Sequence, residues 1–277
     1  YIVIGDDGKV EDIRPRERGV SENIIEEFML KANQVVAEHI YWLNLPFIYR
    51  THDRPKEEKL ERLLRMANAL GLKVKAKSEI SHHELQKLLQ AVEGKDSEKG
   101  INLLVLRSMQ KAIYSELNLG HYGLAFKYYT HFTSPIRRYP DLITHRILLD
   151  FLDKKTQGNP GKIEEQAKWC SARELVAAKA QRDSIKYKQA EYLLDKIGKV
   201  FDGIVSGVTD WGMYVELIES KCEGMVRYQS LEGKWSADTA NYTIRNEYGD
   251  KIRLGDPLKV VVKSVDLERK QIDFTLL

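Results

Sequence analysis

The chain opens on a short apolar run, Tyr1, Ile2, Val3 and Ile4. A polar Asp7-Gly8 step and a second run from Val10 to Ile13 follow, a pattern that predicts a β-hairpin. A hairpin with no further strand beside it in sequence reads as one detached from its sheet, and the chain as a fragment. After a basic loop, Arg14 to Gly19, the period changes to that of a helix. Ser21 is the expected cap, and Ile25, Phe28, Met29, Ala32, Val35, Val36, Ile40 and Leu43 form one packed stripe, with Glu22, Glu26, Glu27 and Asn33 on the outer face. A second helix is predicted from Lys56 to Leu70, closed by Gly71, with Leu60, Leu63, Leu64, Ala67 and Leu70 on one stripe. The capping-box pattern Ser81-His82-His83-Glu84 starts a third, and a fourth runs from Ser97 through Ile101, Leu104, Val105, Met109, Ala112 and Ile113.

Between Gly120 and Ser134 the helical period gives way to aromatic and β-forming residues, which predicts a strand or extended loop. Helix returns at Pro140, with Leu142, His145, Leu148, Leu149 and Leu152 at helical spacing. After a Gly/Pro break at residues 158–161, one long helix is predicted from Lys162 to Ile197. From Lys199 onward five short apolar runs are separated by turns: KVFDGIVSGV, WGMYVEL, CEGMVRY, PLKVVVKSVDL and QIDFTLL. This order predicts a small closed barrel, with Leu231 to Gly255 as loop carrying a little helix. The fold class is therefore α+β. A mostly helical part, residues 1–198, is followed by a five-stranded barrel, residues 199–277.

Composition adds limits. With 43% hydrophobic and 31% charged residues in 277, the chain has the make-up of a folded protein. Its net charge of +3 argues neither for nor against a polyanionic partner, and the barrel part, with 11 basic and 13 acidic side chains, is slightly acidic. Two distant cysteines, Cys170 and Cys222, make neither a disulfide framework nor a zinc site and suit a reducing cytoplasm. No apolar run approaches the length of a membrane span.

The run HYGLAFKYYTHFTSPIRRYPDLITHR, residues 121–146, closely resembles the signature of the RNB family of exoribonucleases, the ribonuclease II and ribonuclease R group. His121, Gly123, Tyr128, Thr133-Ser134-Pro135, Arg137-Arg138-Tyr139, Asp141 and His145 are all in register. The likeness extends through residues 14–33 and THDRP (51–55), and into the barrel, which resembles the RNA-binding OB domain of the ribosomal protein S-one type. The entry YIVI and DIRPRERG looks nearer to the ribonuclease R branch.

The resemblance implies a fold, the C-terminal part of the RNB catalytic domain followed by an OB barrel. It also implies an activity, processive 3′-to-5′ hydrolysis of single-stranded RNA to 5′-mononucleotides. Such hydrolysis needs metal ions held by close carboxylates. Asp6, Asp7, Asp12, Asp53, Asp96 and Asp141 are scattered in this sequence, so no metal ligand is assigned here. Magnesium ligands are expected upstream of the part that the chain matches.

By the same resemblance Arg137 is the catalytic arginine, a guanidinium fork on the scissile phosphate, with Arg138, Tyr139 and Arg146 as RNA contacts. The competing reading is that both arginines pair with Asp141 and other acids. Glu26 resembles the glutamate that contacts the terminal ribose; the alternative is a solvated helix face. His145 reads as a hydrogen-bonded packing residue, His82-His83 as a surface pair, and most of Tyr128, Tyr129, His131 and Phe132 as core. In the barrel Trp211 and Tyr214 stand where aromatic residues stack on RNA, with Arg227 and Lys270 as cations beside them. One of the two aromatics is core if alternation holds, since residues three apart on a strand face opposite sides. Two functions follow from different classes. One is the clamp and RNA-gripping part of a cytoplasmic, monomeric exoribonuclease, inactive in isolation; the other is a non-catalytic RNA-binding or scaffold chain.

Overall fold

The computed structural model describes residues 1–16, 18–69, 72, 79–95, 97–155 and 160–277. In chain order its elements are β1 (Ile2–Ile4), β2 (Val10–Ile13), α1 (Val20–Trp42), β3 (Tyr49–Thr51), α2 (Glu57–Ala69), α3 (His82–Val92), α4 (Glu98–Ser108), β4 (Ile113–Ser115), α5 (Tyr139–Leu152) and α6 (Pro160–Leu194). They continue as β5 (Val200–Val208), β6 (Gly212–Leu217), β7 (Glu223–Arg227), β8 (Trp235–Asp238), β9 (Thr243–Asn246), β10 (Lys251–Arg253), β11 (Pro257–Asp266) and β12 (Gln271–Leu276). The class is α+β, and the chain divides into two compact units.

One unit comprises residues 1–16, 57–108 and 180–277. Its centre is a closed barrel in the order β11-β12-β7-β6-β5, antiparallel except where β12 meets β7 in parallel. The alternation of the sequence dictates the core. Met213, Val215 and Leu217 point inward from β6 and Val260 and Val262 from β11, while Tyr214 and Glu216 face out. Phe274 fills the middle, and Gly224 makes room for it, because a Cβ there would lie 2.6 Å from the Phe274 ring. Gly224→Ala is expected to destabilise the chain by about 1–3 kcal/mol through overpacking, read as a fall in thermal midpoint; an unchanged midpoint would show that the ring can shift aside.

The first hairpin stands as a two-stranded sheet of β1 and β2 and packs on α6 and the barrel. Ile13 is buried in the barrel cluster with Ala190 and Leu193 of α6, Val10 N–H donates to Glu191 Oε2 at 3.1 Å and Lys188 Nζ donates to Gly8 O at 3.0 Å. Leu231 to Gly255 is not the expected loop with a little helix. A 3-10 turn (Tyr228–Ser230) leads into a three-stranded sheet in the order β10-β9-β8. Its strands are three or four residues long, too short for a period to show, and β9 is anchored by the fully buried Ile244. Helices α2 to α4 follow the expected stripes, with Leu60, Leu63, Leu88, Val92, Ile101 and Leu104 buried. Ser81 Oγ accepts from Glu84 N at 3.2 Å as the capping box requires. The expected closure of α2 at Leu70-Gly71 lies outside the described residues. Gly100 allows a close approach of α4 to the chain at Leu254, whose carbonyl oxygen would be 2.7 Å from a Cβ.

The other unit comprises residues 17–56 and 109–179. Helix α1 is capped by Gly19 rather than Ser21, because the Glu22 carboxylate accepts from both Gly19 N and Ser21 Oγ at 3.1 Å. Only its C-terminal half packs as expected, through Ala37 and Ile40 with Val36 and Leu43 against Phe47, Tyr49 and Tyr128. Ile25, Phe28 and Val35 of the expected stripe are exposed, Phe28 by 70%. Asn33, expected on the outer face, is buried instead. The expected fourth helix stops at Ser108. Ile113 starts β4, which pairs with β3 in the register Tyr49↔Ser115 and Thr51↔Ile113. The aromatic stretch after Gly120 is extended chain with a 3-10 turn at Tyr122–Leu124, and it buries Tyr122, Tyr128 and Tyr129.

Candidate nucleic-acid interface

Pro140, in the first turn of α5, has no N–H to satisfy, and the turn before it presents Ile136 and Arg137 to solvent. That turn is pinned from two sides. Asn33 Oδ1 accepts from Phe132 N at 2.9 Å and Thr133 N at 3.2 Å, while its amide donates to the Tyr129 hydroxyl at 3.2 Å. Asp141, fully buried, accepts from Ser134 N and from Arg138 Nη2, both at 2.8 Å on Oδ1. Arg138 is thus the arginine that pairs with Asp141, three residues along the helix, and its side chain is only 21% exposed. Arg137 is exposed, and among the described residues no carboxylate lies within ion-pair distance of it. The two adjacent arginines therefore differ in kind. Arg138 is a half-buried strut and Arg137 a free, exposed guanidinium.

Two further residues stand behind this turn that sequence reasoning missed. Arg50 holds Glu174 in a bidentate pair at 2.6 and 2.9 Å and covers the Tyr114 ring at 4.6 Å. Nothing in the sequence joins a residue of β3 to one 124 positions later; their only signal is that Arg50 directly precedes THDRP. Tyr114 Oη lies 2.8 Å from His131 Nδ1. Burial, with Arg138 and Arg50 adding positive charge, pushes the imidazole down to about 2, and burial pushes the phenol up. Both are neutral at pH 7, and the tautomer of His131 sets which of the two donates. His145 donates from Nε2 to Phe132 O at 2.8 Å and stacks on that ring at 4.2 Å, as a packing residue does. Tyr139 is 43% exposed and meets Trp169 edge-on, and Arg146 is exposed on α5. Glu26 is not gathered with them: it pairs with Arg18 at 3.0 Å, and no hydrogen bond or ion pair joins it to Arg137 or Arg138.

The second site is a cleft of about 600 Å³ on the barrel, lined by Trp211, Tyr214, Met225, Arg227 and Lys270 among others. Neither aromatic is core. Strand β6 starts only at Gly212, so Trp211 sits in the bend before it, free of the alternation that would have turned it inward. It is 60% exposed. The bend is rigid: Thr209 N donates to Gly212 O at 3.0 Å, Tyr228 N to Trp211 O at 3.3 Å and Tyr228 Oη to Thr209 O at 2.7 Å. Gly212 pairs with Arg227 and Tyr214 with Met225 across β6 and β7, which puts Tyr214 beside the Arg227 stem on the outer face. Arg227 lies 3.4 Å from Asp273, and Lys270 Nζ 3.9 Å from Asp183 of α6. An exposed indole over a groove edged by cations suits stacked bases with their phosphates alongside.

Among the described residues no three His, Cys, Asp or Glu side chains gather as a metal ion needs, and Asp96 lies outside the described residues. The residues present do not fit a divalent-metal centre, and no chemistry is assigned through one. Cys170 and Cys222 are buried and unpaired with each other. No described helix is long and apolar enough to cross a membrane.

The family model for the RNB domain matches residues 1–154, more than half of the chain. The chain belongs to the RNB family. A second family model, the S1 RNA binding domain, matches residues 194–277 of this RNB-family chain. Ribonuclease R of Thermotoga maritima is 41% identical over 283 residues, covering 99% of this chain and 40% of its own length. Ribonuclease R of Escherichia coli K12 is 33% identical, covering 97% of this chain and 35% of its own length. The structure of Mycoplasma genitalium RNase R in complex with ribose methylated single-stranded RNA superposes over 100% of this chain and 45% of that one, with a TM-score of 0.93 and 26% identity. The RNB-family chain thus spans about two fifths of the length of the curated relatives it matches.

Proposed function

We propose that this chain is the phosphate-clamping and RNA-gripping part of a ribonuclease R-type enzyme that removes 5′-mononucleotides processively from the 3′ end of single-stranded RNA. The observation that carries the reading is the contrast between Arg138, tied to Asp141, and Arg137, exposed and unpaired at the end of a doubly pinned turn. A guanidinium held in that way is preorganised for a phosphate. On this reading residues 1–198 belong to the catalytic domain, with Arg137 on the scissile phosphate and Tyr139 and Arg146 along the strand, while Glu26 meets the terminal ribose. Residues 199–277 are the barrel that grips incoming strand through Trp211, Tyr214, Arg227 and Lys270. The carboxylates that would hold magnesium precede Tyr1 in the parent enzyme, which works as a monomer in the cytoplasm. A second reading, a non-catalytic RNA-binding or scaffold chain, draws support from the scatter of Asp6, Asp7, Asp12, Asp53 and Asp141.

The test is binding and degradation of end-labelled single-stranded RNA by the 277-residue chain with magnesium. Binding that weakens with salt is expected, and Trp211→Ala should weaken it by roughly 5- to 150-fold, the loss of about 1–3 kcal/mol of base stacking. Affinity unchanged in Trp211→Ala would overturn the barrel assignment. Release of mononucleotides, abolished by Arg137→Ala, would overturn the division of labour by showing a complete active site within the chain.

A further inference from the structure

The barrel cleft has a wall that the barrel does not supply. Asp183, Lys186 and Gln189 of α6 all line it, at a spacing of three that keeps them on one face of the helix. Of the four cations around the cleft, three already have a carboxylate: Arg227 has Asp273 at 3.4 Å, Arg269 has Asp266 at 3.8 Å and Lys270 has Asp183 at 3.9 Å. Lys186 is exposed, and among the described residues no acid lies within ion-pair distance of it. Of the acids that line the cleft, Asp183, one turn back, faces Lys270, Asp273 faces Arg227, Glu223 accepts from Ser206 Oγ at 2.6 Å, and Glu268 forms no ion pair with Lys186.

We propose that Lys186, on the helix and outside the barrel, is the principal phosphate contact of this cleft, so that a single-stranded polynucleotide lies with its backbone toward α6 and its bases on Trp211 and Tyr214. The inference rests on the barrel's being an RNA site and adds to it a residue that lies outside the barrel strands. Its physical basis is counterion release. A phosphate that meets an unpaired ammonium sheds its condensed cation at no cost in protein contacts, whereas one that meets Arg227 or Lys270 must first displace Asp273 or Asp183. Lys186 is therefore the cation whose removal changes the salt dependence most.

Binding of a labelled oligouridylate to the whole chain, measured across a tenfold range of salt, decides the matter. Lys186→Ala should flatten the slope of log K against log salt by about 0.7, so that its affinity relative to the parent changes by about fivefold over that range. Lys186→Arg should restore the slope, since it keeps the charge. Trp211→Ala should lower affinity at every salt concentration with the slope intact, because stacking releases no counterions. A Lys186→Ala slope equal to the parent's, with Trp211→Ala still impaired, would overturn the composite groove and leave the barrel reading standing. If neither variant alters binding, the barrel reading itself fails and the proposal with it.

Discussion

Asp141→Ala is expected to destabilise the folded chain by about 3–5 kcal/mol, the largest effect of any single side chain outside the barrel core. The carboxylate is fully buried, and one oxygen serves both Ser134 N and Arg138 Nη2 at 2.8 Å. Its loss would leave a guanidinium that is only 21% exposed with no counter-charge, and the half-buried Ser134 N–H without its acceptor. Around it Asp141 Oδ2, Arg138 Nε and Thr144 Oγ1 are buried without hydrogen-bond partners among the described residues. Asp141→Asn keeps an acceptor for Ser134 N and loses only the charge, so it should fall between the two. Urea unfolding of the three proteins measures this, and a loss below about 1 kcal/mol for alanine would show that Arg138 reaches solvent on its own. Because the same oxygen closes the turn that presents Arg137, RNA binding should suffer in parallel with stability.

Acid should unfold the chain through a pair of histidines before the general titration of its carboxylates is complete. Burial, then the neighbouring His52 and Arg50, pushes His121 down to about 4 from its ordinary value of 6.5. Between those values the unfolded chain takes up a proton that the folded chain refuses. Stability from this group is complete above pH 6.5, declines as pH falls toward 4, and is lost below that. A shift of this size corresponds to about 3 kcal/mol. His131, pushed down to about 2 by burial and by Arg138 and Arg50, continues the decline into stronger acid. Unfolding free energies at pH 7 and pH 4.5, for the parent and for His121→Gln, isolate the first contribution. The variant should lose less on acidification, and equal slopes would show that His121 is solvated.

Where local pattern and final environment agree, the elements stand as the sequence implies. Strands β6 and β7 alternate cleanly because each has one face on Phe274 and its neighbours and one face outward, whereas β5 is buried along its whole second half, from Gly203 to Val208. The capping box at Ser81 needs only four adjacent residues and is read without knowledge of the fold. The break comes where a residue's role depends on what arrives from far away. Helix α1 has a full apolar stripe, yet only its C-terminal half meets Phe47, Tyr49 and Tyr128. Asn33 looks like one more outer-face polar residue until the extended chain at Phe132 and Thr133 comes within hydrogen-bond reach. Ile113 continues a helical period, but strand β3 offers it a ladder partner instead.

The candidate site divides in the same way. The motif from His121 to Arg146 and the aromatic pair Trp211 and Tyr214 are determined by the sequence alone, since residue type and close spacing suffice to mark them. Which of two adjacent arginines is free could be decided only in three dimensions, because Arg138 rather than Arg137 meets the buried Asp141. That Trp211 escapes the core depends on where β6 begins, and that α6 brings Lys186 to the barrel cleft depends on packing across the whole unit. Side-chain type and period are properties of a segment, whereas a charge's partner and a ring's exposure are properties of the neighbours that folding delivers.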